Sequence, residues 1–518
     1  MSQPVYPSLY QINTRVWLTE LSGELSRRAT LDDIPDVELD RLAEMGFDWI
    51  WLLSVWNTGE LGRKVSREHP DFRRDFEETL PDLSEDDIGG SGFAIAEYKV
   101  NPELGGDGAL KRLREKLRKR GLKLMLDFVP NHMGPDHKWV QDHPDYFVQG
   151  TALDLEKYPQ NYTRIKCGQN ELILAYGRDP YFSGWPDTIQ LDYSNPATVE
   201  AMMQELLRIA DQCDGVRCDM AMLILPDVFE KTWGRRALPF WPIIIKTIHE
   251  KYPGFLFMAE VYWDMEWTLQ QQGFDYTYDK RLYDLLREGL PNAVREHFYA
   301  EPDYQNKLVR FLENHDEQRI SSTLDLKCHE AAAVITFLSP GLRFFHQGQF
   351  EGRKKRISPH LVRAPLEPIN TAIQKFYTEL LNIIKKQVFR NGQWKLLRCT
   401  PAWDGNDTWS DFLVFAWEDL DGKRALVVVN YSSHDSQCFV KLPYSDPGVK
   451  IIQFRDTMSA ARYDRDYNDL LSRGLFLELP PWGYHVFDVG QPILNSEALP
   501  IKNKEENYLS KEEFILSD

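Results

Sequence analysis

Apolar runs bounded by glycine, proline and charged residues alternate with amphipathic stretches over roughly the first 385 residues. Residues 8–18 and 47–56 read as strands, with a helix near 37–44 between them. The run from Phe47 to Trp56 is nearly all apolar, as in a strand buried on both faces. Residues 107–120 place Leu110, Leu113 and Leu117 on one helical face; Gly121 stops that helix and a third strand follows at 122–129. Further strands read at 214–219, 255–261, 308–311 and 342–348, with a helix at 196–213. Two stretches break the alternation. Residues 57–92 are too long and charged for an ordinary connection and read as an excursion on a functional rim. Residues 133–190, rich in Tyr, Pro, Gly and Asp, read as an insertion between the third strand and its helix.

The pattern predicts an α/β fold, a parallel (β/α)8 TIM barrel of about eight units. Short alternating strands from about residue 387 predict an antiparallel β-sandwich. The expected layout is a barrel from 1–132 and 196–386, an inserted subdomain at 133–195, a sandwich at 387–490 and a polar tail at 491–518.

Composition narrows the class. The 61 basic and 79 acidic residues give a net charge of −18, which argues against nucleic-acid binding. No apolar run reaches the ~18 residues of a membrane span, and no secretory signal pattern is visible at the N-terminus. The six cysteines lack Cys-x-x-Cys spacing, so reduced thiols in a cytoplasmic protein are the expectation.

The chemistry gathers at strand ends. Arg217 and Asp219 alternate with Val216 and Cys218, which puts both on one side of a strand. A guanidinium so placed holds a carboxylate ionised, as a glycosyl-transfer nucleophile requires, although Arg–Asp pairs are more often purely structural. Three more stretches end their strands in polar residues: Asp127-Phe-Val-Pro-Asn-His132, Phe255-Leu-Phe-Met-Ala-Glu260, and Glu313-Asn-His-Asp316. Barrel active sites are built at that end of the strands.

These four stretches, in this order, resemble the signature regions of glycoside hydrolase family 13, the α-amylase family. The match extends to Gly92-Phe-Ala-Ile-Ala-Glu-Tyr98. The resemblance implies Asp219 as nucleophile, Glu260 as general acid/base and Asp316 as a third carboxylate gripping sugar hydroxyls. It places Phe93, His132, Arg217 and His315 around the reacting sugar, with Asp127 supporting the strand end. A retaining mechanism would set the first two carboxyls ~5–5.5 Å apart, one of them with a raised pKa. The implied activity is hydrolysis of α-glucans or maltooligosaccharides, without an organic cofactor. The same site also suits a transglycosylase or glucosyl isomerase; a non-catalytic sugar-binding barrel would ordinarily have lost these carboxylates. Met222 and Leu223 stand where many relatives carry Lys-His, which implies a less polar acceptor side.

A structural calcium is also implied, with Asn131 and Asp192 at ligand places. Two oxygens fall short of the six or more that calcium takes, and Asn131 equally suits a loop cap. The basic run Arg353, Lys354, Lys355 and Arg356 could meet a phosphorylated acceptor, but pairing with neighbouring Asp and Glu is favoured.

Overall fold

The computed structural model describes residues 4–490, apart from 169 and 445–447; the expected polar tail at 491–518 lies outside them. Eight parallel strands close a barrel: β1 (Ser8–Asn13), β2 (Trp49–Leu53), β3 (Lys123–Phe128), β4 (Gly215–Cys218), β5 (Leu256–Ala259), β6 (Tyr276–Tyr278), β7 (Leu308–Arg310) and β8 (Leu342–His346). β8 returns to β1, with Gln11 opposite His346. β2 is buried at every position, as its unbroken apolar run requires.

The expected strand over residues 8–18 stops at Asn13. The Asn13 side chain accepts from Val16 N and caps α1 (Thr14–Leu25), whose Val16, Leu18 and Leu21 face the core. α2 (Asp36–Glu44) follows. The excursion after β2 carries α3 (Glu60–Glu68) and α4 (Pro70–Thr79). α5 (Gly106–Lys119) leads into β3 and α6 (Pro196–Gln212) into β4. β6, only three residues long, has no counterpart in the strands read from the sequence. Between β3 and α6, residues 132–133 pair with 189–190, and the hairpin Tyr162–Cys167 with Asn170–Ala175 lies within that loop.

After the barrel, a six-stranded antiparallel sheet faces a three-stranded one over a core of Phe412, Val414, Val428, Phe454, Cys438 and Leu477. The other face of the larger sheet joins the barrel core through Phe415, Trp417 and Val427. Trp417 donates its indole N–H to Leu338 O at 2.9 Å. All six cysteines are unpaired. Among the described residues no helix is long and apolar enough to cross a membrane.

Candidate active site

The site is organised around Arg217, which is fully buried beside the rings of Trp51, Phe93 and Tyr278, each within 6 Å of its guanidinium carbon. A planar cation between aromatic faces is held rigidly, so its two arms are fixed in direction. One arm, Nη1, donates to Asp219 Oδ1 at 2.6 Å; the other, Nη2, donates to Glu260 Oε2 at 2.6 Å. β4 and β5 thus present both carboxylates on one guanidinium. Asp127, opposite Arg217 in the β3–β4 register, lies behind it at 3.7 Å. Burial pushes the Asp127 carboxyl up to about 7 despite Arg217, and neither of its oxygens has a well-aligned hydrogen-bond donor.

Glu260 takes two more donors, Met220 N to Oε2 and Tyr262 OH to Oε1, both at 2.8 Å. Met220 adopts left-handed backbone (φ 41°), unusual for a non-glycine residue, and that bend delivers its N–H to Glu260. Burial raises the Glu260 carboxyl well above the ordinary range, opposed by Arg217 and reinforced by the charges of Asp219 and Asp316. The proton is therefore retained where an ordinary glutamate would have lost it. Such a group can act as an acid at neutral pH.

Asp219, Glu260 and Asp316 line one cleft of about 360 Å³ with Phe93 and His132. Asp316 opens onto that cleft, with 41% of its side chain exposed. His132 is buried with Nε2 unpartnered; burial drives its pKa down to about 4, so the ring is neutral at neutral pH. His315 lies behind the wall, stacked on Phe93 at 5.4 Å. Its Nδ1 meets Gln11 Nε2 at 2.9 Å. Its Nε2 is 3.1 Å from Asp316 Oδ2 but without the alignment of a hydrogen bond.

Several cleft residues escaped the sequence reading. Tyr262 follows Glu260 by two, the same alternation that paired Arg217 with Asp219, and could have been found. Trp185 and Asp187 come from the insertion, Phe72 from α4 and His360 from the loop after β8; no local pattern marks them. Asp187 is buried, and burial pushes its carboxyl up to about 6. Met222 and Leu223 are also placed differently: both are buried in the core, and Met220 lines the cleft instead. They cannot set the polarity of an acceptor side.

The residues considered for calcium do not fit that ion. Asn131 O, Asn131 Oδ1 and Leu191 O all accept from Gln190 Nε2, at 2.9, 3.0 and 3.0 Å. Asp192 Oδ1 accepts from Ser194 N and Oγ, and Asp192 Oδ2 accepts from Arg235 Nη1 at 2.6 Å. Gln190 Nε2 thus sits where the Asn131 oxygens and Leu191 O converge, and Arg235 already neutralises Asp192; among the described residues no cluster of three or more His, Cys, Asp or Glu could hold a metal. The basic run after β8 is likewise engaged: Arg353 pairs with Glu20, Lys355 bonds Glu78 O, and Arg356 meets both oxygens of Asp75 at 3.0 Å.

Comparison with known proteins places the chain in a family. The α-1,4-glucan:maltose-1-phosphate maltosyltransferase of Burkholderia pseudomallei is 27% identical over 295 residues, 54% of this chain and 22% of that protein. The α-amylase MalA of Haloarcula japonica is 22% identical over 455 residues, 86% of this chain and 58% of its own length. The chain thus spans less than two thirds of either relative. Among solved structures, the noncanonic maltogenic α-amylase AmyB of Thermotoga neapolitana shares the fold, with a TM-score of 0.65 at 18% identity over 93% of this chain and 98% of that one. Residues 30–393 match the family profile described as the α-amylase catalytic domain, and the chain belongs to that family, glycoside hydrolase family 13.

Proposed function

We propose that the protein is a retaining α-glucoside hydrolase acting on α-glucans or maltooligosaccharides. The observation that carries this reading is the single buried guanidinium of Arg217 bonded to both Asp219 and Glu260. Asp219 attacks the anomeric carbon while protonated Glu260 gives its proton to the departing glycosidic oxygen. This forms a covalent glycosyl ester and releases the aglycone alcohol. Glu260, now a carboxylate, takes a proton from water as the water oxygen displaces Asp219. Asp316, which lines the same cleft, holds sugar hydroxyls as the ring flattens, and Phe93 offers a stacking face.

Transfer to a second sugar is the alternative fate of the same ester. The rings of Phe72, Phe93, Trp185 and Tyr262 around the cleft favour it, since an acceptor stacked there would exclude water. The named activities of the relatives, maltosyl transfer and amylase, span both outcomes. Proton NMR of the first product, before mutarotation, tests the reading: an α-anomer is expected from an α-linked substrate, and an initial β-anomer overturns it. Product profiles with and without added glucose then separate hydrolysis from transfer.

A further inference from the structure

Behind the cleft wall, α1 and α3 and the segment from Asp86 to Gly89 enclose a second cavity of about 340 Å³. Its lining includes Arg15, Arg28, Arg63 and Arg67 against only two carboxylates, Asp86 and Glu103. Glu103 is already paired with Arg28 at 2.6 Å. Arg15 is 6% exposed and bonds only neutral acceptors, Gly90 O at 2.7 Å and Thr58 Oγ1 at 3.2 Å. No carboxylate among the described residues forms an ion pair with it. The Nε groups of Arg63 and Arg67 are buried without a hydrogen-bond acceptor. Their nearest carboxylates stand outside, Glu60 at 3.3 Å and Glu85 at 3.6 Å, both more than half exposed.

A buried cation without a counter-charge is costly, and donors left unmade add to that cost. Burial and the charge of Arg63 already draw the Arg15 guanidinium down to about 10, which still leaves it charged at neutral pH. We infer that this cavity is a binding site for a phosphate-type oxyanion, either inorganic phosphate or the phosphate of a small sugar ester. Three guanidinium groups, Arg15 from α1 with Arg63 and Arg67 one turn apart on α3, suit the oxygens of a tetrahedral dianion, which planar forks bind through paired N–H groups. The volume exceeds what a monatomic ion would fill, and Leu18, Leu104 and Val362 give the remainder an apolar lining. The site is separate from the catalytic cleft. The two adjoin along the strip from Gly89 to Ser91, where Arg15 holds Gly90, and along the loop after β8, where His360 lines the cleft and Val362 the cavity.

Thermal melting of the full chain tests the inference, using inorganic phosphate, glucose 1-phosphate and chloride at matched ionic strength. A ligand bound only by the folded state raises the melting temperature in a saturable way. Phosphate is expected to do so well beyond chloride. The Arg63→Gln/Arg67→Gln double variant, altered where 23% and 32% of the side chains are exposed, is expected to lose the effect. Its melting in chloride buffer reports whether it folds, and Arg67→Gln alone supplies the comparison if it does not. A larger shift with the sugar ester assigns the site to esters; equal shifts assign it to free phosphate. A phosphate effect no greater than chloride's, or one that survives in the folded variant, overturns the proposal.

Discussion

Gln190 places its side-chain amide nitrogen 3.0 Å from Asn131 Oδ1 and 2.9 Å from the carbonyl oxygen of the same residue. With Leu191 O, three oxygens converge on one nitrogen that donates only two hydrogens. An amide there does what a cation does elsewhere, tying the end of the inserted loop to the end of β3. The melting temperature is therefore expected to be unchanged by excess chelator or added calcium. In Gln190→Glu the donor becomes a carboxylate facing carbonyls. That variant is expected to melt lower, by about 2–3 kcal/mol of stability, with calcium restoring part of the loss. A chelator-sensitive parent would show that an ion binds after all.

Asp219→Asn and Glu260→Gln are expected to fold as the parent does and to lose turnover by at least ~10²–10⁴-fold. Steady-state rates on a maltooligosaccharide decide this. Near-parental turnover in either folded variant would remove that residue from the chemistry.

Tyr262 donates to Glu260 Oε1, and a donor favours the ionised carboxyl. Removing it in Tyr262→Phe should raise the Glu260 pKa further. The alkaline limb of kcat/KM, where the acid loses its proton, is then expected to move to higher pH. A limb that stays in place, or moves down, would mean that another group controls it.

His360 is half-buried against the rings of Phe72 and Phe76, and its Nδ1 meets Ser66 Oγ at 2.8 Å. Burial first, then Arg15 and Arg356, draw its pKa down to about 3. The folded state thus binds this proton more weakly than the unfolded chain. The resulting stability is complete above pH ~6.5 and is lost as pH falls towards 3. Asp127 and Glu266, both pushed up to about 7 mainly by burial, act in the opposite sense. The readout is therefore the difference in melting temperature between the parent and His360→Gln. It is expected to be largest at neutral pH and to narrow on acidification; a constant gap would show that the ring does not titrate this way.

Much of this architecture is legible in the sequence because it is local. Seven of the eight barrel strands lie within runs that read as strands, most of them apolar, and the polar residues at their ends fall into register once the barrel is assumed. β6 is not legible because Tyr276–Tyr278 is too short to show a period, although Tyr278 is fully buried in the fold. The strand expected through residue 18 ends at Asn13 because Val16 and Leu18 suit either element, and Asn13 decides between them by capping. Met222 and Leu223 show a different limit. Their chain position places them near the nucleophile, but the sharp turn at Met220 sends both into the core.

The loop after β8 closes on the excursion after β2: His360 on Ser66, Arg356 on Asp75, and Arg363 on Asp87. One wall of the cleft is thus made from chain segments nearly 300 residues apart. During synthesis, the carboxylates at the ends of β4, β5 and β7 emerge before residue 360 exists to finish that wall. Contacts so distant in sequence form late, after loop closure has been met throughout the barrel. A nascent chain halted before this loop would carry its acidic residues without the enclosure that sets their protonation, which ties the appearance of a competent site to the last turn of barrel assembly.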